Sequence, residues 1–463
     1  MEIIQAINGI FWGWLIAGIL LSCGIFYTIR LGFPQVRYFT QLIPNLWKAS
    51  RDTSGVSAFG ALCSAIGSEV GAGSLVGVAT ALASGGPGAI FWMWITAILG
   101  MPIMFGEAVL AQIFRVKNED GTTFRGGPAY YMRRGLNAKI LPILFSVSVI
   151  LGNGVVYCMV QSNSIAGSFS GQAEMPPLAI GAILVLLVAL VIFGGIKRLS
   201  TVASYVVPFM AFAYIILALI VLVTHAEWIM DMLRLIIDSA FGVQQAAGGV
   251  LGYTVQEAFR YGVARGLFSN DAGAGTTPSM HAAANVKHPV NQGLSGMLGV
   301  FVTTIIVCSC TAFCIMLSGA LNGQLTGIQL TQAAFSASFG DLGYWLVAAA
   351  MFLFGYTTLL ANMYYGEVNT RYLFPDKKYA VTAYRIFALC LILFGSIVPV
   401  VSMWEFADFF GALMVLFNVI ALFRLSKYVA FALRDYQEQK KVTDTPMWNY
   451  DDDIVERYRN TNR

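Results

Sequence analysis

Eleven apolar runs, each about as long as a bilayer-crossing helix, constrain this 463-residue chain more than any other feature. They lie near residues 9–31, 56–81, 87–113, 138–166, 177–195, 201–223, 245–270, 291–318, 340–365, 380–400 and 404–430. In hydrocarbon every backbone N–H and C=O must find its partner within the protein, so such runs fold as spanning helices. Composition supports this: 57% of residues are hydrophobic and 11% charged, against roughly 25% charged in soluble domains. That leaves too little polar surface for a soluble enzyme. The net charge of +4 is also too small to argue for a nucleic-acid partner.

Lys and Arg test the count. Arg30, Arg37, Lys48 and Arg51 lie between spans 1 and 2, and Arg115, Lys117, Arg125, Arg133, Arg134 and Lys139 between spans 3 and 4. Lys197, Arg198, Lys287, Arg371, Lys377, Lys378 and the basic residues of the tail fall on the same side; Arg234 alone falls opposite. The basic side faces the cytoplasm, which puts the N-terminus outside and the C-terminus inside a bacterial or archaeal cell membrane. Run 1 has no basic residue before it and is too long for a signal-peptide core, so it reads as a spanning helix. Run 7 is the most polar, with Gln256, Glu257, Arg260 and Arg265. Residues 34–52 form an amphipathic interfacial helix with Trp47 at headgroup level. The tail, with Asp451, Asp452 and Asp453, reads as cytoplasmic and partly disordered. All seven cysteines fall in spans and read as small apolar residues.

Enzyme signatures are missing: there is no Walker loop, no HExxH, no GxSxG and no paired CxxC. Gly71-Ala72-Gly73-Ser74-Leu75-Val76-Gly77 loosely imitates a dinucleotide fingerprint, but it lies in a membrane helix rather than after a strand. Without an ATPase motif, uphill transport would draw on an ion gradient.

The glycines point to a site. Glu69-Val70-Gly71-Ala72-Gly73-Ser74 in span 2 and Asp271-Ala272-Gly273-Ala274-Gly275-Thr276 at the end of span 7 share one pattern: acid, small, Gly, Ala, Gly, hydroxyl. Each belongs to the first helix of a set of five, and the two sets run in opposite orientation. Discontinuous helices in corresponding positions of an inverted repeat are the best sequence pointer to a transporter site. Freed N–H groups at a half-helix N-terminus suit a carboxylate, and freed carbonyls suit a cation such as Na⁺. Gly67xxxGly71 and Gly73xxxGly77 would also allow close helix packing without function; the recurrence of the break in both repeats favours function. Glu69 and Asp271, ionisable at this depth, read as coupling or gating residues, with purely structural salt bridging as the alternative; a half-helix N-terminus or Arg260 or Arg265 would keep them charged. Glu107, Glu367 and Asp408 lie nearer helix ends and read as structural.

Longer motifs carry a resemblance. Gly77-Val78-Ala79-Thr80-Ala81, Gly85-Gly86-Pro87-Gly88-Ala89-Ile90-Phe91-Trp92-Met93-Trp94, Gly266-Leu267-Phe268-Ser269-Asn270-Asp271-Ala272-Gly273, His281-Ala282-Ala283-Ala284, His288-Pro289-Val290-Asn291-Gln292-Gly293 and Tyr364-Tyr365-Gly366-Glu367 resemble the alanine or glycine:cation symporter family, from about residue 55 to 430. The resemblance implies an all-α leucine-transporter-like fold, a 5+5 inverted repeat with one extra N-terminal helix and 11 transmembrane helices. It divides the chain into an extra helix (1–33), an interfacial segment (34–55), a first repeat (56–223), a second, inverted repeat (245–430) and a charged tail (431–463).

The same resemblance implies Na⁺-coupled import of a small neutral amino acid by alternating access, with no cofactor beyond the coupling ion. It places the substrate against Gly71, Ala72, Gly73 and Ser74, with Phe268 and Asn270 opposite and Gln161 on span 4. It places Na⁺ between carbonyls of span 2, at Ser68, and the hydroxyls of Thr357 and Thr358 on span 9. Span 6 has no Lys or Arg where some proton-driven relatives of the fold carry a Lys, which favours sodium. The family pattern in span 2 reads like GTGNI with an Arg two residues before it; this chain has Glu69 at the Arg and Ser74 at the Asn. Thr303 stands in place of an Asp, and Asn362 in place of a Trp. Asn362 adds a donor and an acceptor, which opens the substrate range beyond alanine and glycine to glutamine or serine. Proton-coupled transport, a facilitator and a transporter-like sensor are the alternatives.

Overall fold

The computed structural model describes residues 2–50, 55–170, 174–242, 254–321, 323–375, 377–398, 401–450 and 453–461. Residues 245–253 of run 7, together with Arg51, Asp451 and Asp452, lie outside them. Among the described residues, every run that the sequence marks falls on helix.

Among the described residues, eight helices are long and apolar enough to cross a bilayer: Glu2–Arg30, Gly88–Ile113, Leu141–Phe169, Gly195–Thr224, Pro289–Leu317, Asp341–Leu373, Lys378–Ile397 and Met403–Lys440. A ninth span is the pair Ala58–Glu69 and Gly73–Gly85, bent by 45° at the residues between them. Pro177–Ile192 is apolar but shorter, and Val255–Asn270 is the polar run 7. The architecture is an all-α polytopic membrane bundle.

Local chemistry sets the ends of the two interrupted spans. Ser57 caps the first, its hydroxyl accepting the Gly60 N–H at 3.0 Å. A capping box of Thr254 and Glu257 opens the other. Span 7 stops at Asp271, whose left-handed backbone (φ 53°) ends the helix, and resumes as the short helix Pro278–Ala283. Span 2 packs on spans 6, 8 and 9, while span 7 packs on span 3 and on the second half of span 2. Gly262 allows the approach to span 3: a Cβ there would meet the Trp92 Cβ at 2.6 Å. The two interrupted spans also join end to end, Asn285 N–H donating to the Val56 carbonyl at 2.8 Å.

Three parts differ from the sequence expectation or add to it. The amphipathic helix Ile229–Ala240 packs on span 3, and Gly327–Phe339 lies between spans 8 and 9. Gly327–Phe339 is tied to the second half of span 2 through Thr331 Oγ1, which donates to the Leu75 carbonyl at 3.1 Å. Both are too short and polar to register as spanning runs. The segment 34–49 is helical, broken at Tyr38, with Val36, Ile43 and Trp47 exposed as an interfacial helix requires.

The tail is where the expectation fails. Described residues beyond Lys440 fold back on the bundle and end in the helix Ile454–Thr461. Trp448 N–H donates to the Lys287 carbonyl at 2.8 Å, the Tyr450 hydroxyl to Gln112 Oε1 at 3.2 Å, and Arg457 pairs with Asp435 at 2.8 Å. Charge content suggested disorder, but Trp448, Tyr450, Ile454 and Tyr458 give this short stretch enough apolar surface to dock.

Candidate substrate and ion site

The break in span 2 carries the first part of the site. Val70 ends the helix with its N–H on the Ile66 carbonyl at 2.7 Å, and Gly71 and Ala72 follow before the chain re-enters helix at Gly73. Side chains from other spans take up the freed backbone groups. Gln161 Oε1 accepts the Ala72 N–H at 2.9 Å from span 4. Thr358 Oγ1 reaches the Gly67 carbonyl at 2.9 Å and that of Ser68 at 3.4 Å, while Thr357 Oγ1 reaches Gly67 at 3.1 Å. Four hard oxygens, the two hydroxyls and the Gly67 and Ser68 carbonyls, therefore converge beside the break. The Ser68 hydroxyl itself points elsewhere, donating to the Ala65 carbonyl and accepting from the Tyr365 hydroxyl, each at 2.7 Å. Gly71 has to be glycine here: a Cβ would fall deep inside van der Waals contact of Thr358 Oγ1 and 3.0 Å from Gln161 Nε2.

The second break closes on the first. A Cβ on Gly73 would lie 3.1 Å from the Phe268 carbonyl and 3.2 Å from Ser269 Cα, so the two interrupted backbones nearly touch. Ser74 Oγ lies 3.5 Å from Ser269 Oγ, and Cys308 Sγ of span 8 is 2.9 Å from Ser269 Oγ and 3.6 Å from Ser74 Oγ. Phe268 sits between the rings of Tyr157 and Trp404, each 5.0 Å away. Asn270 turns its Oδ1 onto the Ala272 N–H at 3.1 Å, and its buried Nδ2 has no hydrogen-bond partner. Asp271 accepts from Thr277 Oγ1 at 3.2 Å.

Sequence reasoning missed the residue that fixes the second break. Glu107 of span 3 is fully buried; its Oε2 accepts the Gly273 N–H at 3.1 Å, and its Oε1 accepts from Asn418 Nδ2. The same Asn418 amide reaches the Gly273 carbonyl at 3.0 Å and accepts from the Tyr131 hydroxyl. Its position near a helix end concealed this role.

The ion pairs also differ from expectation. Arg265 bonds Asp408 through two contacts of 2.9 Å and lies 4.8 Å over the Trp404 ring, so it neutralises neither Glu69 nor Asp271. Arg260 lies over the Tyr261 ring. Glu69 is 1% exposed and its two carboxyl oxygens have no hydrogen-bond partner; they face span 8 at Gly299, with Thr303 close by. Glu367 pairs with Arg371 at 3.0 Å and Arg385 at 2.7 Å. Asn362 Oδ1 accepts from Asn153 Nδ2 at 3.0 Å, one helical turn beyond Thr358.

Two breaks that meet through small residues and hydroxyls, each with a buried carboxyl beside it, suit a transporter. A family model described as the sodium:alanine symporter family matches residues 1–449. The chain belongs to the sodium:alanine symporter family. It is 42% identical over 453 residues to the probable sodium/glutamine symporter GlnT of Bacillus subtilis, an alignment that covers 97% of this chain and 93% of that one. It is 35% identical over 452 residues to the sodium/alanine symporter AgcS of Methanococcus maripaludis, with 95% and 98% covered. Among solved structures it is similar to MhsT in complex with L-phenylalanine, with a TM-score of 0.61, 14% identity, and 85% of this chain and 94% of that one covered. At that identity the likeness shows the fold, which is leucine-transporter-like. Family membership makes this symporter-type protein a multi-pass membrane transporter rather than an enzyme.

Proposed function

We propose that the protein couples the Na⁺ gradient to import of a neutral amino acid by alternating access, across a bacterial or archaeal cytoplasmic membrane, with the N-terminus outside. The observation that carries this reading is the convergence of the Thr357 and Thr358 hydroxyls on the Gly67 and Ser68 carbonyls beside a broken helix. Hydroxyl and carbonyl oxygens are hard ligands suited to Na⁺, and an ion there would tie span 9 to span 2. The amino acid would lie against Gly71, Ala72, Gly73 and Ser74. Its carboxylate would face the N–H groups that open the second half-helix, with Phe268 and Asn270 on the opposite wall and Gln161 holding the break open. Alanine, glycine, serine and glutamine are the candidate substrates. The names of the GlnT and AgcS relatives support the two ends of that range. Glu69 and Asp271, one at each break, would gate or couple.

Uptake of radiolabelled alanine and glutamine into proteoliposomes, with and without an inward Na⁺ gradient, tests the reading. Accumulation that needs the gradient supports it, and gradient-independent uptake refutes the coupling. One observation favours a second reading, proton coupling: the Glu69 carboxyl is buried without a hydrogen-bond partner. Uptake driven by a pH gradient in Na⁺-free buffer would establish that reading instead.

A further inference from the structure

Two asparagines face each other deep in the bundle, and each uses only one of its two side-chain polar atoms. Asn153 Nδ2 of span 4 donates to Asn362 Oδ1 of span 9 at 3.0 Å. Both residues are almost fully buried, at 1% and 2% exposure. Asn153 Oδ1 and Asn362 Nδ2 have no hydrogen-bond partner at all. Buried polar groups are nearly always paired, and a donor and an acceptor left side by side are a site for something that supplies both. Turning both amides end for end keeps one hydrogen bond between them and again leaves one donor and one acceptor free, so this complementarity does not depend on which terminal atom is nitrogen.

The pair stands where a substrate side chain would end. On span 9, Asn362 follows Thr358 by four residues, so it lies on the same face and about 6 Å further along. Thr358 abuts Gly71 in the first break. On span 4, Gln161 meets the Ala72 N–H of that break, while Asn153 meets Asn362. The same two helices thus connect the backbone-binding end to the amide pair. A side chain of two methylenes and a terminal group spans about one helical turn. The Tyr384 hydroxyl, also buried without a partner, closes on Gly154 beside Asn153.

We infer that Asn153 and Asn362 form a carboxamide-reading subsite, in which Asn362 donates to the amide oxygen of a glutamine-type side chain and Asn153 accepts from its amide N–H. This rests on the neutral amino-acid symport proposed above. A carboxylate would offer Asn153 no donor and would bring an unpaired charge, and an apolar side chain of equal length would leave both groups unpaired. Asn153 thereby becomes a specificity-determining residue, partner to Asn362.

The test uses the purified full-length protein with Na⁺ and four probes: L-glutamine, L-glutamate, L-norleucine and L-alanine. For wild type, glutamine is expected to raise the thermal midpoint more than norleucine or glutamate does. The double variant Asn153→Leu/Asn362→Leu removes both polar partners together and so leaves no orphan. In proteoliposomes its ratio of glutamine to alanine kcat/KM should fall by about 10- to 100-fold relative to wild type. Na⁺-driven alanine uptake by wild type, with glutamine no better than norleucine, would overturn the subsite and leave the symport reading standing. An unchanged ratio in the double variant would do the same. No Na⁺-driven uptake of any neutral amino acid would remove the symport reading, and the subsite with it.

Discussion

Gly71→Ala offers the sharpest local perturbation of the ion site. Its new methyl would overlap Thr358 Oγ1 and stand 3.0 Å from both Thr358 Cβ and Gln161 Nε2. Thr358 cannot give way freely, because its hydroxyl is held at 2.9 Å by both the Gly67 and Phe354 carbonyls. Without an ion the threonine can relieve the overlap at Oγ1 by giving up one of these hydrogen bonds and turning its hydroxyl away, at a smaller cost. With an ion bound, the hydroxyl must point into the site and the clash persists. The cost therefore falls mainly on the bound form. Overpacking of this kind is worth about 1–3 kcal/mol, which corresponds to roughly a 5- to 150-fold rise in the Na⁺ concentration for half-maximal uptake. Uptake by proteoliposomes over a Na⁺ titration reads this directly. Thr358→Val, which removes the hydroxyl without adding volume, should move the titration in the same direction. Gly77→Ala supplies the contrast: its methyl would meet nothing closer than 3.7 Å, so the titration should stay in place. A folded Gly71→Ala protein whose half-saturating Na⁺ lies within about twofold of wild type would refute the assignment of Thr358 to the ion.

Two further outcomes follow from pairs at either end of the bundle. Asp408→Asn strands Arg265, whose side chain is 5% exposed; the loss should approach the low end of the roughly 3–5 kcal/mol range for broken buried pairs, since Asp408 keeps 17% exposure. Thermal melting in detergent checks it, and an unchanged midpoint would contradict the role given to the pair. At the other end, burial holds the His288 imidazole below its ordinary value of 6.5, against the pull of Asp435. The docked tail therefore prefers neutral His288. Its docking is complete above about pH 6.5 and weakens as the pH falls through the lower folded value. Protection factors over residues 441–450 and 453–461, which correct for the intrinsic slowing of amide exchange in acid, should fall on going from neutral to acidic buffer; protection that rises in acid would show that the ion pair with Asp435 dominates.

The sequence made the bundle legible because burial in lipid demands long apolar runs, and those survive as helices from Glu2–Arg30 to Met403–Lys440. Both breaks were legible for a related reason. Gly71-Ala72-Gly73 and Ala272-Gly273-Ala274-Gly275 are poor helix formers, and Asp271 with its left-handed backbone stops span 7 where the pattern suggested. Partnerships between distant spans were not legible. Nothing local marks Glu107 as the acceptor for Gly273, or Asn418 as the bridge between them, because each is a lone polar residue in an apolar run. Arg265 seemed available to Asp271 on its own span and to Glu69 across the paired breaks, yet the bundle brings Asp408 to it across 143 positions. The tail misled for the opposite reason: charge count dominated the reading, while four spaced apolar anchors determined the outcome.

The central claim is that sodium and a neutral amino acid cross together. Its most direct test is to load proteoliposomes with Na⁺ but no amino acid, impose only an inward amino-acid gradient at equal Na⁺ on both sides, and follow radiolabelled Na⁺. The account predicts that Na⁺ enters against no chemical gradient of its own, in fixed proportion to the amino acid, and that Thr358→Val suppresses both fluxes. Amino-acid entry with no accompanying Na⁺ would contradict it.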